Sequence, residues 1–79
     1  MKEKTADEMF ATLGYRRYDY LTHVDYYNEE LEKIISFRDH GTFVCYDCRD
    51  DVPMEITIQE LQAINKEVEE LNQVEWIRK

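Results

Sequence analysis

The sequence predicts an α+β domain: a short N-terminal helix, a three-stranded antiparallel meander and a long C-terminal amphipathic helix. Three observations carry this. Two T-x-x-E capping boxes stand near the two ends, Thr5/Glu8 and Thr57/Glu60. The segment between them is dense in Tyr, Val, Ile, Phe and Thr, which suit a pleated surface. After the second box, Leu61, Ile64, Val68 and Leu71 step by three, four and three residues, the spacing of one helical stripe.

Each element has a local signal. Over residues 5–13, Ala6, Met9, Phe10 and Leu13 share one helical face, and Gly14 supplies a stop. Residues 18–27 read as the first strand, with Tyr18, Tyr20, Thr22, Val24 and Tyr26 on one face and Asp19, Leu21, His23, Asp25 and Tyr27 on the other. Asn28-Glu29-Glu30 reads as a turn. Residues 31–38 form the second strand, with Leu31, Ile35 and Phe37 on one side and Ile34 on the other. Asp39-His40-Gly41-Thr42 is a hairpin turn, since Gly41 can take positive φ, and residues 42–46 form the third strand. The chain from Asp47 to Pro53 is polar and turn-like, and Glu55-Ile56 reads as a short extension. The last helix opens at Thr57. Its predicted solvent face carries Glu60, Lys66, Glu67, Glu69 and Glu70, while Val74, Trp76 and Ile77 extend or close the stripe. One helical stripe on one sheet face buries both.

Composition bounds the function. The 79 residues make a single domain, 1–79, with room for only a thin core. No apolar run approaches the roughly 18–20 residues of a membrane span. The formal net charge is −8, and residues 19–79 account for −9 of it. That balance disfavours direct grip on a nucleic-acid backbone, which needs clustered Lys and Arg. The charged N-terminus has no apolar signal region, and two cysteines three residues apart are not a disulfide framework, so a reducing cytoplasm is expected.

Cys45-x-x-Cys48 is the sharpest chemical motif. Zinc takes thiolate and imidazole ligands in a tetrahedron, and a CxxC knuckle can supply two corners. His40, five residues before Cys45, and His23, on the first strand, complete an expected ligand set of Cys45, Cys48, His40 and His23. On an unbroken strand the two thiols would point to opposite faces, so a shared metal requires a turn at Tyr46-Asp47. A half-buried Cys45 with a free Cys48, and a redox pair, remain open beside zinc. A metal clip would offset the thin core.

The sequence holds no Gly-rich phosphate loop, no G-x-S-x-G and no H-E-x-x-H. Ser36 with Asp39 and His40 could be drawn as a triad, but neighbours on one turn seldom converge that way. A chain this short has little room for a pocket of about 300 Å³ beside its core, so no enzyme is expected. The six tyrosines outnumber what one small core can hide, and aromatics anchor protein interfaces. Tyr20 and Tyr26, with Asp50, Asp51, Glu67, Glu69 and Glu70, are the expected partner-binding residues. An acidic surface of this kind either occupies a basic groove or simply keeps the chain soluble.

The opening Lys4-Thr-Ala-Asp-Glu-Met-Phe-Ala-Thr-Leu-Gly-Tyr15 and the closing Ile56-Thr-Ile-Gln-Glu-Leu-Gln-Ala-Ile-Asn-Lys-Glu-Val-Glu-Glu-Leu71, followed by Trp76-Ile77, resemble a group of small phage and prophage proteins of Firmicutes. The resemblance covers both helices and not the middle. Small acidic phage proteins of such hosts include type II-A anti-CRISPR proteins, among them a zinc-binding kind, which inhibit an RNA-guided DNA nuclease by direct binding. The resemblance thus implies a phage-encoded, non-catalytic nuclease inhibitor acting in the bacterial cytoplasm as a monomer or weak dimer. Cys45 and Cys48 would be its metal ligands. A zinc-stabilised adaptor of phage development is the alternative it implies.

Overall fold

In the computed structural model, residues 4–38 and 41–73 are described, with side chains to Leu71. The elements are α1 (Ala6–Thr12), β1 (Arg16–Asp19), β2 (His23–Asn28), β3 (Lys33–Arg38), β4 (Phe43–Asp47) and α2 (Ile58–Gln73). The sheet is an antiparallel meander in the order β1-β2-β3-β4.

The predicted α+β class holds, but the sheet has four strands where the sequence predicts three. The predicted strand over residues 18–27 is two strands. Asp19 pairs with Val24, and the Tyr20 amide donates to the His23 carbonyl at 2.9 Å. The connection is therefore the two residues Leu21-Thr22. Neither is Gly, Asn, Asp or Pro, so the usual turn signal is missing. The turn also reverses the facing. Tyr18 pairs with Asp25 and so shares its face, not that of Val24 and Tyr26. Leu31, expected to point inward, lies in the β2–β3 turn and is exposed. There the Asn28 side chain accepts from the Leu31 amide, and Glu32 takes φ +52°.

Both capping boxes form. Thr5 Oγ1 accepts from the Glu8 amide at 3.2 Å, and Glu8 answers to the Thr5 amide at 2.8 Å. Thr57 and Glu60 repeat the exchange at 3.0 and 2.9 Å. Gly14 ends α1 at φ +94°, where a Cβ would sit 3.2 Å from Asn28 Nδ2. The β3–β4 hairpin closes by Arg38 N–H to the Thr42 carbonyl at 2.8 Å. Its predicted turn residues Asp39 and His40 lie outside the described residues, as do Val74, Trp76 and Ile77.

Both helices pack on one face of the sheet. Phe10 of α1 stacks on Tyr26 with centroids 3.9 Å apart and meets Tyr15 and Phe37 edge-on. Ala63, Ile64 and Leu71 of α2 join Val24, Tyr26, Ile35 and Phe37 in the same core. The buried face of α2 is Glu60, Ala63, Ile64, Glu67 and Leu71. It is rotated about one residue from the predicted stripe: Leu61 is 43% exposed and Val68 is only half-buried. Glu60 and Glu67, predicted on the solvent face, are inside. They are accommodated because Lys33, Tyr26 and Arg17 of the sheet, with Tyr15 just before β1, meet them. Among the described residues no helix covers the opposite sheet face.

Candidate binding face

The uncovered face is built by the pleat. Tyr18, Asp25, Ser36 and Val44 are successive cross-strand partners over all four strands. The neighbouring row is Arg16, Tyr27, Ile34 and Tyr46. Ser36 lies on this open side yet is 0% exposed, because the larger side chains of both rows close over it. Its Oγ and Asp25 Oδ1 are buried and have no hydrogen-bond partner among the described residues. Asp25 Oδ2 lies 3.7 Å from His23 Nε2. A buried polar atom left unpaired costs about 1–3 kcal/mol, so two adjacent ones mark the middle of this face.

Two hollows adjoin that polar centre. One, of about 210 Å³, is lined by Tyr18, Tyr20, Asp25, Tyr27 and Ile34. Tyr18 and Tyr20 are 41% and 52% exposed, and the Tyr20 ring stacks on His23 at 4.5 Å. The other, of about 610 Å³, lies against Arg38, Val44, Cys45, Tyr46, Asp51 and Pro53. Pro53 bridges to Tyr46 beyond the edge strand, which caps that edge with a residue that lacks an N–H. Burial pushes the Tyr46 hydroxyl above its ordinary range, and the Asp25 charge adds to the shift. The phenol therefore stays a neutral donor.

The predicted partner-binding residues divide. Tyr20 and Asp51 belong to this face, and Asp50 is exposed in the loop beside Asp51. Tyr26 and Glu67 do not belong to any surface: both are 0% exposed, and the Tyr26 hydroxyl donates to Glu67 Oε1 at 3.1 Å. Burial explains both shifts there, raising the Tyr26 phenol and the Glu67 carboxyl alike. Glu69 is exposed on α2, and Glu70 Oε2 accepts from the Ala6 amide at 2.7 Å, tying α2 to the start of α1. These two lie with the helical layer, away from the tyrosine hollow.

Of the expected metal ligands, His23 lies apart from Cys48. Cys45 is the cross-strand partner of Ile35 and packs against the core under the helices. Cys48 follows β4, its amide donating to the Glu32 carbonyl at 2.9 Å, and its thiol meets the Tyr27 hydroxyl. His23 pairs with Arg38, whereas Cys48 adjoins the Lys33 end of the same strand, five residues or roughly 16 Å away. Among the described residues no three His, Cys, Asp or Glu side chains gather as a metal set. His40 lies outside those residues.

Sequence reasoning missed Asp25, Ser36, Tyr18 and Tyr27 as a group. Strand alternation puts Asp25 and Tyr27 together but assigns Tyr18 to the other face, and only the register brings Ser36 beside Asp25. Comparison with family models, with curated proteins and with solved structures finds no match. Among the described residues no helix is long and apolar enough to cross a membrane.

Proposed function

We propose that this chain is a non-catalytic binding protein whose uncovered, tyrosine-bearing sheet face docks on a basic protein surface, with an RNA-guided DNA nuclease as its target. One observation carries the reading. The uncovered face holds exposed aromatics, Tyr18 and Tyr20, in one hollow with Asp25, and Asp51 in a second hollow at the β4 edge, in a chain of net charge −8. Aromatic anchors supply desolvated contact area, and the acidic field steers the chain toward a groove shaped for nucleic acid. The choice of nuclease follows from the resemblance of both helical segments to phage proteins.

The test is cleavage of target DNA by guide-loaded type II-A nuclease with increasing protein, added before and after DNA. Stoichiometric inhibition that weakens as salt rises is expected, because exposed charge is screened over about 8–10 Å at 0.1–0.15 M. Asp51→Lys should slow association more than it speeds dissociation, and Tyr20→Ala should do the reverse. Full-rate cleavage at large molar excess would sink the nuclease reading and leave the adaptor of phage development in its place.

A further inference from the structure

The geometry points to a binding pocket for a single alkyl cation, the N–H-bearing end of a lysine or arginine side chain, between Tyr18, Tyr20 and Tyr27 over Asp25. For its biological role this rests on the reading of the uncovered face as the contact surface, and it names the group that face takes. Three tyrosine rings and Ile34 wall a hollow of about 210 Å³, the size of one side-chain end rather than a peptide groove. Ring faces attract a cation through their quadrupole, and the attraction grows when water is excluded. The carboxylate decides the kind of cation. Asp25 contributes to the wall, its side chain is only 17% accessible, and its Oδ2 lies 3.7 Å from His23 Nε2, beyond hydrogen-bond distance. A partly desolvated carboxylate without a donor favours a cation that brings an N–H, which a quaternary ammonium cannot do.

Nearby cations of the chain itself leave the position open. Among the described residues the His23 ring stands 3.7 Å from Asp25 Oδ2 and is stacked on Tyr20. Arg16 and Arg38 flank the pocket as cross-strand partners of Tyr27 and His23. Neither lines the hollow, and their like charge works against a cation there, so the Asp25 carboxylate and the three rings have to outweigh it for a ligand that enters end-on, with its stem toward solvent. Lysine and arginine stems are built for that approach.

The experiment is an NMR titration of the intact chain with N-acetyl-lysine methylamide and N-acetyl-arginine methylamide. N-acetyl-norleucine methylamide serves as the uncharged isostere. Saturable shifts of the Tyr18, Tyr20 and Tyr27 ring protons and of the Asp25 carboxyl carbon are expected with at least one cationic probe and not with norleucine. Asp25→Asn should weaken that binding roughly tenfold or more, the loss of one charge-assisted hydrogen bond. Tyr18→Leu should weaken it as well, and this exposed position tests the cage if Asp25→Asn disturbs the fold. Norleucine binding as tightly as the cations, undiminished binding by a folded Asp25→Asn, or no shifts with either cation well above the millimolar range would each overturn the proposal. The two readings fail separately. Probe binding without nuclease inhibition leaves this site standing. Nuclease inhibition that a folded Asp25→Asn leaves untouched overturns the site as the group the contact face takes and keeps the inhibitor.

Discussion

Two buried polar clusters, one under the start of α2 and one on the uncovered sheet face, are satisfied to different degrees. Under the helices, Lys33 Nζ donates to Glu60 Oε1 at 2.6 Å and to the Glu55 carbonyl at 2.6 Å, while the Tyr15 hydroxyl donates to Glu60 Oε2 at 2.7 Å. The Thr57 amide donates to the same carboxylate as part of the helix cap. Every strong group in that cluster is answered. On the uncovered side, Asp25 Oδ1 and Ser36 Oγ sit side by side with no partner. The first arrangement anchors the start of α2 to β3 and explains itself as structure. The second costs stability with no structural return, which is the usual signature of a surface made for something else.

The largest effect should come from breaking the satisfied cluster. Lys33→Ala leaves Glu60 buried and uncompensated, so a loss of about 3–5 kcal/mol is expected, read as a collapse of the urea midpoint. Lys33→Met tests the same point with volume kept. If either variant melts like the parent, the covered face is not the well-paired region described. Next is Ile64→Ala, which opens a cavity where α2 meets the sheet; about 2–5 kcal/mol should be lost by the same measurement.

The uncovered face should respond differently. Ser36→Ala removes a hydroxyl that has no partner, so stability should stay within about 0.5 kcal/mol of the parent or rise. A loss of more than about 1 kcal/mol would mean that the hydroxyl is satisfied after all, and the contrast between the faces would narrow.

These contrasts were legible in the sequence to different depths. The capping boxes, Gly14 and the Gly41 hairpin were plain, because each depends on a few adjacent residues. The Leu21-Thr22 turn was not, because it is imposed by pairing and not by turn-forming residues. The helix stripe came out one residue off, since Glu60 and Glu67 carry charges whose default place is solvent. Only the cations and phenols brought opposite by β1, β2 and β3 reverse that default. Tyr26 follows the same logic: its alternation with Val24 is plain in the sequence, but not which face the helices cover. Asp25 and Ser36 are eleven residues apart and meet only through register.

The last test compares the two buried glutamates of α2 through pH. Burial alone would raise both carboxyls. At Glu60 the hydrogen bonds from Lys33, Thr57 and Tyr15 outweigh burial, and its carboxyl is held below the ordinary value of 4.5. At Glu67 burial prevails over Arg17 and Tyr26, and the carboxyl is raised above 4.5; its Oε2 has no partner among the described residues. The signs then differ. Glu60 contributes stability that is present above pH 4.5 and is lost as the pH falls through its lowered folded value. Glu67 subtracts stability as the pH rises from 4.5 to its raised folded value, and the deficit stays constant above that. Glu67→Gln keeps the acceptor for Tyr26 and Arg17 and removes the buried charge. Its melting temperature at pH 7 should therefore equal or exceed the parent's, with any advantage vanishing below pH 4.5, where the parent is protonated as well. Glu60→Gln should show the reverse: a clear deficit at pH 7 that closes as the parent's Glu60 takes up its proton. Parallel melting curves of parent and both variants between pH 3 and 8 decide it. A Glu67→Gln deficit at pH 7 as large as that of Glu60→Gln would show that the two carboxylates are equally well held.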